Sequence, residues 1–210
     1  ALSDQKKFFG YNATFRYPVH GGIQVLPNAL LARLKPGQVR MGCQATFVDL
    51  RERVAVIEGL GEVRFDRLVS TLPLTDFLDL ATPLPAEVRA ARRALRYNTV
   101  YNLNLGVDRP ETEGRHWIYF PEGKYPFYRV GYCSNFAKSG APPGARALYL
   151  EATRPGGQRV DLAKLENAML AGLRSCGILK SGDKLLTKLW IPIKVGYVVY
   201  DFNRTPAVTR

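Results

Sequence analysis

The sequence predicts an α+β protein in which an antiparallel or mixed sheet carries helices on one face. Three observations lead to this fold class. Four strand patterns follow one another from residue 97 without helices between them, which favours antiparallel pairing. A long amphipathic helix comes after these strands, and a small β-meander precedes them. The composition of the 210 residues, 46% hydrophobic and 23% charged, is that of a globular protein.

The first predicted elements are a helix and a meander of short strands. Leu26, Leu30 and Leu34 recur at four-residue spacing, which predicts an amphipathic helix that begins at Ile23 and ends before Pro36. Runs rich in valine and isoleucine follow, and a glycine-containing turn between two of them indicates a hairpin. The predicted strands are residues 39–48, 53–57, 62–65 and 68–72.

Two helices are predicted after Pro73. Residues 74–80 have room for one or two helical turns, and Pro85 suits the first turn of a longer helix. The apolar stripe of this longer helix is formed by Leu84, Val88, Ala91 and Leu95. Its arginines lie on other faces, where they form either a solvated basic surface or a docking surface for an anion or a partner: Arg89, Arg92, Arg93 and Arg96.

The main sheet begins with the clearest strand pattern of the chain. Residues 97–107 alternate between an apolar or aromatic face and a face that carries Asn98, Asn102 and Asn104. Asp161 suits the N-cap of the long helix, and Gly177 suits the position just after its end. The other predicted strands of this region are residues 117–120, 127–132, 147–151, 186–193 and 195–200.

The sequence contains no motif of a self-sufficient catalytic site. GxGxxG, P-loop, HExxH, CxxC and GxSxG patterns are absent, and no carboxylates stand at metal-ligand spacing, so no metal site is predicted. Three widely spaced cysteines form no disulfide framework, which favours a reducing compartment. No apolar run is long enough for a transmembrane helix, and residues 1–9 lack the apolar core of a signal peptide. We therefore expect a cytoplasmic protein without membrane contact.

The net charge of +12 indicates an anionic partner. A phosphorylated small molecule, a nucleic acid and an acidic protein surface all remain open on charge alone. Because the arginines are scattered and no nucleic-acid motif is present, we expect no nucleic-acid partner. A basic, non-catalytic module that binds nucleic acid or protein is kept as the alternative.

Three stretches together resemble a known family. Residues 15–23 read FRYPVHGGI, residues 69–74 read VSTLPL, and residues 116–136 contain HWIYFPE, PFYR and SNF. These patterns are similar to those of UDP-galactopyranose mutases, especially the eukaryotic type. The wider group is the FAD-dependent amine-oxidase and protoporphyrinogen-oxidase-like flavoproteins. The last block is the most specific, because several uncommon residues keep the same spacing.

The resemblance implies a middle segment of such a flavoprotein. In the family, the nucleotide-binding fingerprint precedes this region and a second flavin-contacting segment follows it. We therefore expect residues 1–72 to be part of the FAD-binding domain, residues 73–200 to be the substrate-binding domain, and residues 201–210 to begin a return to the FAD domain. FAD is the implied cofactor, and the chain by itself is expected to be inactive without the remainder of the protein.

The resemblance also assigns site residues, although it identifies no catalytic group. Tyr119 and Arg129 match a tyrosine and an arginine that bind the substrate diphosphate, and Tyr197 matches a later tyrosine better than Tyr200 does. An arginine fork and tyrosine hydroxyls suit phosphate oxygens. The resemblance therefore implies two sets of positions. The anionic substrate, for which a nucleotide sugar is one option, is bound by Tyr119, Arg129, Asn135, Tyr197 and His20. The flavin is contacted by Gly21 and Gly22.

These assignments leave alternatives open. Arg129 stands among apolar and aromatic residues, where it can pair with a carboxylate, line a cleft or face solvent. Tyr119 shares a predicted strand face with Trp117 and can belong to the core. His20 occupies a position where the mutases carry an arginine, so the substrate and the reaction can differ from theirs, either as another flavin-dependent oxidation or as a scaffold without activity.

Overall fold

The computed structural model describes residues 15–209. The predictions for the first fourteen residues, including the absence of a signal peptide, lie outside this range. The helices are α1 Val25–Leu31, α2 Leu74–Leu80, α3 Ala86–Ala94, α4 Leu162–Ser175 and α5 Arg204–Val208. The strands are β1 Ala45–Asp49, β2 Val54–Ile57, β3 Gly61–Arg64, β4 Ala81–Thr82, β5 Tyr97–Val107, β6 Trp117–Tyr119, β7 Arg129–Tyr132, β8 Arg146–Pro155 and β9 Leu185–Val198. Two short 3-10 helices follow β7, at Cys133–Asn135 and Lys138–Gly140.

The strands form two sheets. The small sheet has the order β3-β2-β1-β4, in which β4 pairs parallel to β1 and the other pairs are antiparallel. The large sheet has the order β6-β7-β8-β5-β9 and is antiparallel throughout. This arrangement confirms the α+β class, with the predicted hairpin present as β2 and β3.

The core lies between one face of the large sheet and α4. Leucines of β5 and β8 alternate inwards and pack against Leu165, Met169 and Leu173 of the helix. The predicted ends of α4 are confirmed: the Asp161 carboxylate accepts a hydrogen bond from the Lys164 backbone amide at 3.0 Å, and Gly177 adopts a φ of +75°. The opposite face of the large sheet, called the open face below, carries the polar residues of β5.

The structure adds β4 and α5, which the sequence did not predict, and β1 begins only at Ala45. Three further elements differ from the prediction. The two late strands are one continuous strand, β9, because both halves pair with β5 and a bulge near Asn98 absorbs the irregularity. Helix α1 is shorter than expected, and its leucines are exposed. Residues 68–72 form no strand, since they pair with no strand among residues 15–209, and Val69 is 89% exposed.

The basic side of α3 is partly used within the fold. Arg92 forms a bidentate pair with Asp79 of α2, with distances of 2.9 and 2.6 Å, and its Nε also donates to the Thr75 carbonyl. Hydrogen bonding to Asp79 raises the pKa of Arg92, so this arginine stays charged and joins α2 to α3. Within residues 15–209, no helix has the length and hydropathy needed to cross a bilayer.

Candidate functional site

The open face of the large sheet carries a row of side chains from neighbouring strands. The strand register places Tyr119 opposite Arg129, Arg129 opposite Glu151, and Glu151 opposite Asn102. Directly opposed residues of paired strands point to the same face, so groups distant in sequence become neighbours. The adjacent row contains Trp117, Gly131, Tyr149, Asn104 and Leu189.

Glu151 holds the centre of the first row. Its Oε1 accepts hydrogen bonds from Arg129 Nη2 at 2.7 Å and from Asn102 Nδ2 at 3.4 Å. Its Oε2 accepts a hydrogen bond from the Tyr128 hydroxyl. Arg129 Nη1 also donates to the Tyr119 hydroxyl at 3.3 Å. We call these five residues the open-face cluster.

Aromatic rings surround the guanidinium of this cluster. Its Cζ lies 5.8 Å from the ring centre of Tyr119, 5.9 Å from that of Tyr128 and 5.6 Å from that of Tyr149. These separations allow cation–π attraction. Gly131 provides the room for one ring, because a Cβ at this position would lie 1.9 Å from Tyr149 Cε1. The rings and the carboxylate together fix where the guanidinium lies.

Burial and hydrogen bonding control the protonation of the cluster. Burial, the Glu151 carboxylate and the nearby Tyr197 hydroxyl raise the pKa of Tyr128 far above its ordinary value, so this phenol stays protonated and donates. Burial alone would lower the pKa of Arg129, but its hydrogen bonds to Glu151 and Tyr119 raise it instead. The cluster therefore keeps the Tyr128 phenol protonated and the Arg129 guanidinium charged at neutral pH.

Arg129 retains hydrogen-bonding capacity towards the open face. Its side chain is 22% exposed, whereas its Nε is buried and has no hydrogen-bond partner among residues 15–209, so the capacity that faces a ligand belongs to the two Nη groups. A guanidinium has five N–H groups, of which the contacts to Glu151 and Tyr119 use two. The arrangement can therefore bind an acceptor-rich group, such as a phosphate or a carboxylate, at a fixed orientation.

The structure brings some of the expected site residues together and leaves others apart. Tyr119 and Arg129 are in contact, and Tyr197 lies on β9 near Tyr128 and is half exposed. Asn135 instead uses its amide Nδ2 to bind the Arg115 carbonyl at 2.5 Å, which fixes the loop before β6. Of the expected polar set, Tyr119, Arg129 and Tyr197 thus share one region of the sheet.

The segment that precedes α1 packs against the edge of the large sheet. The Phe15 ring lies 5.0 Å from that of His116, 5.9 Å from that of Trp117 and 5.5 Å from that of Phe136. The Ser139 hydroxyl donates to the Val19 carbonyl. His20 follows directly and is exposed, and no hydrogen bond joins it to the open-face cluster in the described part of the chain.

Gly21 and Gly22 both require glycine for conformational reasons. Their φ angles are +77° and +63°, in the left-handed region that other residues seldom adopt. A Cβ at Gly21 would also lie 2.7 Å from Val25 Cγ2. Two consecutive glycines with accessible backbone fit a place where a flat ligand such as a flavin approaches the main chain.

Sequence reasoning missed the carboxylate at the centre of the site. Glu151 stands between Leu150 and Ala152, both of which are buried, and a charged residue within such an apolar strand was the available signal. Asn102 was assigned to the correct face by alternation, but its partner depends on strand register. Pairing between distant strands cannot be read from either strand alone.

A second group of buried charges lies at the far end of β5 and β8. Arg146 Nη1 bonds Glu111 Oε2 at 2.9 Å, and Arg109 binds Asp183 through two hydrogen bonds of 2.7 and 2.8 Å. Both arginines also donate to the Ile178 carbonyl. These four charged residues, called the strand-end network, join two loops to the sheet. Hydrogen bonding to Arg109 lowers the pKa of Asp183 to about 2.

Comparison with known proteins identifies a family and related folds. The sequence profile of the family described as flavin-containing amine oxidoreductases matches residues 1–171. A crystal structure of reduced UDP-galactopyranose mutase superposes with a TM-score of 0.88 at 26% identity, over 96% of this chain and 45% of that chain. A putative protoporphyrinogen oxidase from Exiguobacterium sp. 255-15 superposes with a TM-score of 0.67 at 15% identity, over 90% and 42% of the two chains.

The matches confirm the resemblance that the sequence motifs indicated. An oxidoreductase from Methanosarcina mazei shares the fold at a TM-score of 0.53 and 14% identity, over 73% of this chain and 38% of that chain. The chain spans less than half the length of each of these three solved proteins. Because the family profile covers most of its residues, the chain belongs to the flavin-containing amine oxidoreductase family.

Proposed function

We propose that this chain forms the substrate-binding part and the edge of the flavin-binding part of an FAD-dependent enzyme. The enzyme is either UDP-galactopyranose mutase-like, an isomerase, or amine-oxidase-like, an oxidoreductase. Its substrate is anionic, and in the mutase-like case it is a nucleotide sugar. The open-face cluster binds the anionic group of this substrate. The catalytic residues are not assigned.

One observation carries the proposal. The Arg129 guanidinium lies at the open face, where Nη1 and Nη2 each have one N–H outside the described hydrogen bonds, in a chain that superposes on reduced UDP-galactopyranose mutase over 96% of its length. Tyr119 and Tyr149 fix this group from the sides through ring contacts. A planar, preorganised fork of this kind suits two phosphate oxygens at once.

The other residues of the substrate set have different roles in the proposal. Tyr197, half exposed beside Tyr128, offers a hydroxyl to the substrate. Asn135 acts on the site through the loop that it holds before β6. His20 supplies a ring nitrogen from the segment that packs on the sheet edge, where a histidine binds a diphosphate less strongly than an arginine would.

Gly21 and Gly22 approach the FAD through their backbone in this proposal. The flavin, when bound, supplies the redox or nucleophilic chemistry that no side chain of the described residues supplies. The division into residues 1–72, 73–200 and 201–210 is retained, with Ala81–Thr82 adding a strand to the small sheet.

The exposed apolar side of α1 supports a further packing partner within the same enzyme. Leu26 and Leu30 of α1 are 58% and 60% exposed, and Leu34, three residues beyond the end of the helix, is 48% exposed; together they leave an apolar surface uncovered. In the proposal, the remainder of the flavoprotein covers them. The 210-residue chain alone is therefore inactive.

The test uses the intact protein purified under native conditions. We expect the visible absorbance of an oxidised flavin, and chromatography of the released cofactor should identify FAD. Conversion of UDP-galactopyranose to the furanose form by the reduced enzyme would establish the mutase-like reaction, whereas amine-dependent peroxide formation would establish the oxidase-like one. A colourless protein without flavin would contradict the proposal.

The alternative of a basic nucleic-acid or protein-binding module has the net charge of +12 in its favour. Six arginines of the described residues, however, already form ion pairs with aspartate or glutamate: Arg92, Arg96, Arg109, Arg115, Arg129 and Arg146. Tight binding of random DNA that weakens steeply with added salt would favour this alternative over the enzyme.

A further inference from the structure

The open-face cluster contains a negative charge next to the group proposed to bind an anion. Glu151 Oε1 lies 2.7 Å from Arg129 Nη2, and the Glu151 side chain is only 9% exposed. The formal charges of these two residues cancel. No other lysine or arginine has a described hydrogen bond to the cluster, so a ligand at the open face meets a charge-balanced site.

A carboxylate in this position acts on a bound anion in two opposing ways. It orients the guanidinium and keeps Tyr128 as a hydrogen-bond donor, which favours binding. It also repels every negative charge placed beside Arg129, and limited exposure to water leaves this repulsion poorly screened. The repulsion grows with each charge on the ligand, whereas the orientation of Arg129 is the same for all ligands.

We propose that Glu151 is a specificity-determining residue that sets the charge preference of the site. It favours a phosphate esterified on both sides, which carries one negative charge. It disfavours a terminal phosphate, which carries close to two negative charges above its second pKa of about 6. The inference rests on the proposed function, because it assumes that the anion binds at Arg129.

The test measures binding of dimethyl phosphate and monomethyl phosphate to the intact, flavin-loaded protein by NMR titration at neutral to slightly basic pH. The variant is Glu151→Gln, which keeps the side-chain shape and one oxygen acceptor but removes the charge. We expect monomethyl phosphate to bind about tenfold more tightly, or about 1.4 kcal/mol. The affinity for dimethyl phosphate should rise roughly threefold, because this ligand carries a smaller negative charge. An unchanged ratio between the two probes, or weaker binding of the monoester, would overturn the inference.

Two further variants keep the test decisive if Glu151→Gln perturbs folding. Asn104→Asp adds a carboxylate in the neighbouring row without touching Glu151, and it should weaken the monoester more than the diester. Glu62→Gln removes one negative charge from β3 of the small sheet and should leave both affinities unchanged. Melting temperature and flavin content show that each variant is folded.

A separate arm distinguishes this inference from the proposed function. If Arg129→Ala binds both phosphates as tightly as the wild type, the anion does not bind at Arg129 and the proposed site is wrong. If binding depends on Arg129 but Glu151→Gln leaves the ratio of the two affinities unchanged, only the role of Glu151 is wrong.

Discussion

Two arginine–carboxylate groups in the same sheet have opposite characters. In the strand-end network, Arg146 is 4% exposed and its hydrogen bonds go to Glu111 and to a backbone carbonyl. In the open-face cluster, Arg129 is 22% exposed. Each arginine makes two described side-chain hydrogen bonds, and each has a buried Nε without a partner among residues 15–209. The residue types are alike, so the pairing of an arginine does not by itself separate a structural role from a binding role. The exposure of the guanidinium at the open face does separate them.

The largest effect is expected when the strand-end network loses its central cation. Arg146→Met leaves Glu111 buried without an ionic partner, which should lower the free energy of unfolding by about 3 kcal/mol or more. Urea denaturation of the intact protein measures this loss. The matched control is Arg115→Ala, whose pair with Glu113 is exposed, and which should cost less than 1 kcal/mol. Equal losses in the two variants would show that burial does not separate these ion pairs.

The next effect concerns mainly ligand affinity. Arg129→Ala should weaken binding of an anionic substrate by about 2 kcal/mol, roughly thirtyfold, because charge-assisted hydrogen bonds are lost. Isothermal titration calorimetry measures the affinity, and absorbance confirms that the flavin content is unchanged. Stability should also fall, because Glu151 is only 9% exposed and loses its ionic partner. The loss should be smaller than in Arg146→Met, because Arg129 is 22% exposed and Arg146 only 4%, so water can reach the space that Arg129 leaves. An unaltered substrate affinity would show that Arg129 does not bind the substrate, so the two arginines would not differ in function.

The loss of stability at acidic pH should depend on the strand-end network. The pKa of Asp183 is about 2 in the folded protein, below its ordinary value of 3.8, so the folded state favours the charged form. Its contribution of about 2 kcal/mol is present above about pH 4 and is lost as the pH falls from about 4 to about 2. Between about pH 4 and about pH 2, the free energy of unfolding should therefore fall less steeply with decreasing pH for Asp183→Asn than for the wild type, as measured by urea denaturation at each pH. If the variant loses stability in acid as steeply as the wild type, the acid sensitivity of the fold comes from other carboxylates.

The smallest effect is expected for a neutral change in the open-face cluster. Tyr128→Phe removes one hydrogen bond to Glu151 but keeps the ring near Arg129, and it should cost about 1 kcal/mol of stability. Denaturant titration measures this cost. The affinity for an anionic ligand should change less than threefold, because Arg129 remains charged and paired. A loss as large as that of Arg129→Ala would make the phenol itself a ligand contact.

Much of the fold could be predicted because it follows from local patterns. The alternation of β5 and the capping residues Asp161 and Gly177 are encoded within a few residues, and the structure has them where the sequence placed them. Residues 68–72 have the composition of a strand but lack a described neighbour, so composition alone was insufficient. The apolar stripe of α1 likewise predicted a helix but did not reveal that its leucines are exposed, because packing depends on what other segments lie nearby.

The site was predictable only in part for the same reason. Motif resemblance pointed to Tyr119 and Arg129, and the structure places them in contact. Glu151 and Asn102 join them through pairings across three strands, which depend on long-range register. The use of Asn135 in holding a loop was also hidden, because its acceptor is a backbone carbonyl from another segment.

The row across the large sheet restricts how relatives of this protein can vary in length. Side chains alternate between the two faces of the sheet. Inserting or deleting one residue inside β7 would therefore bring Val130 to the open face and turn the Arg129 guanidinium towards α4. A change of two residues would restore the outward direction but move the group along the sheet. Length differences compatible with ligand binding should therefore fall in the connection between β6 and β7, at residues 120–126 before the buried Phe127 and the cluster residue Tyr128, and not within the strands.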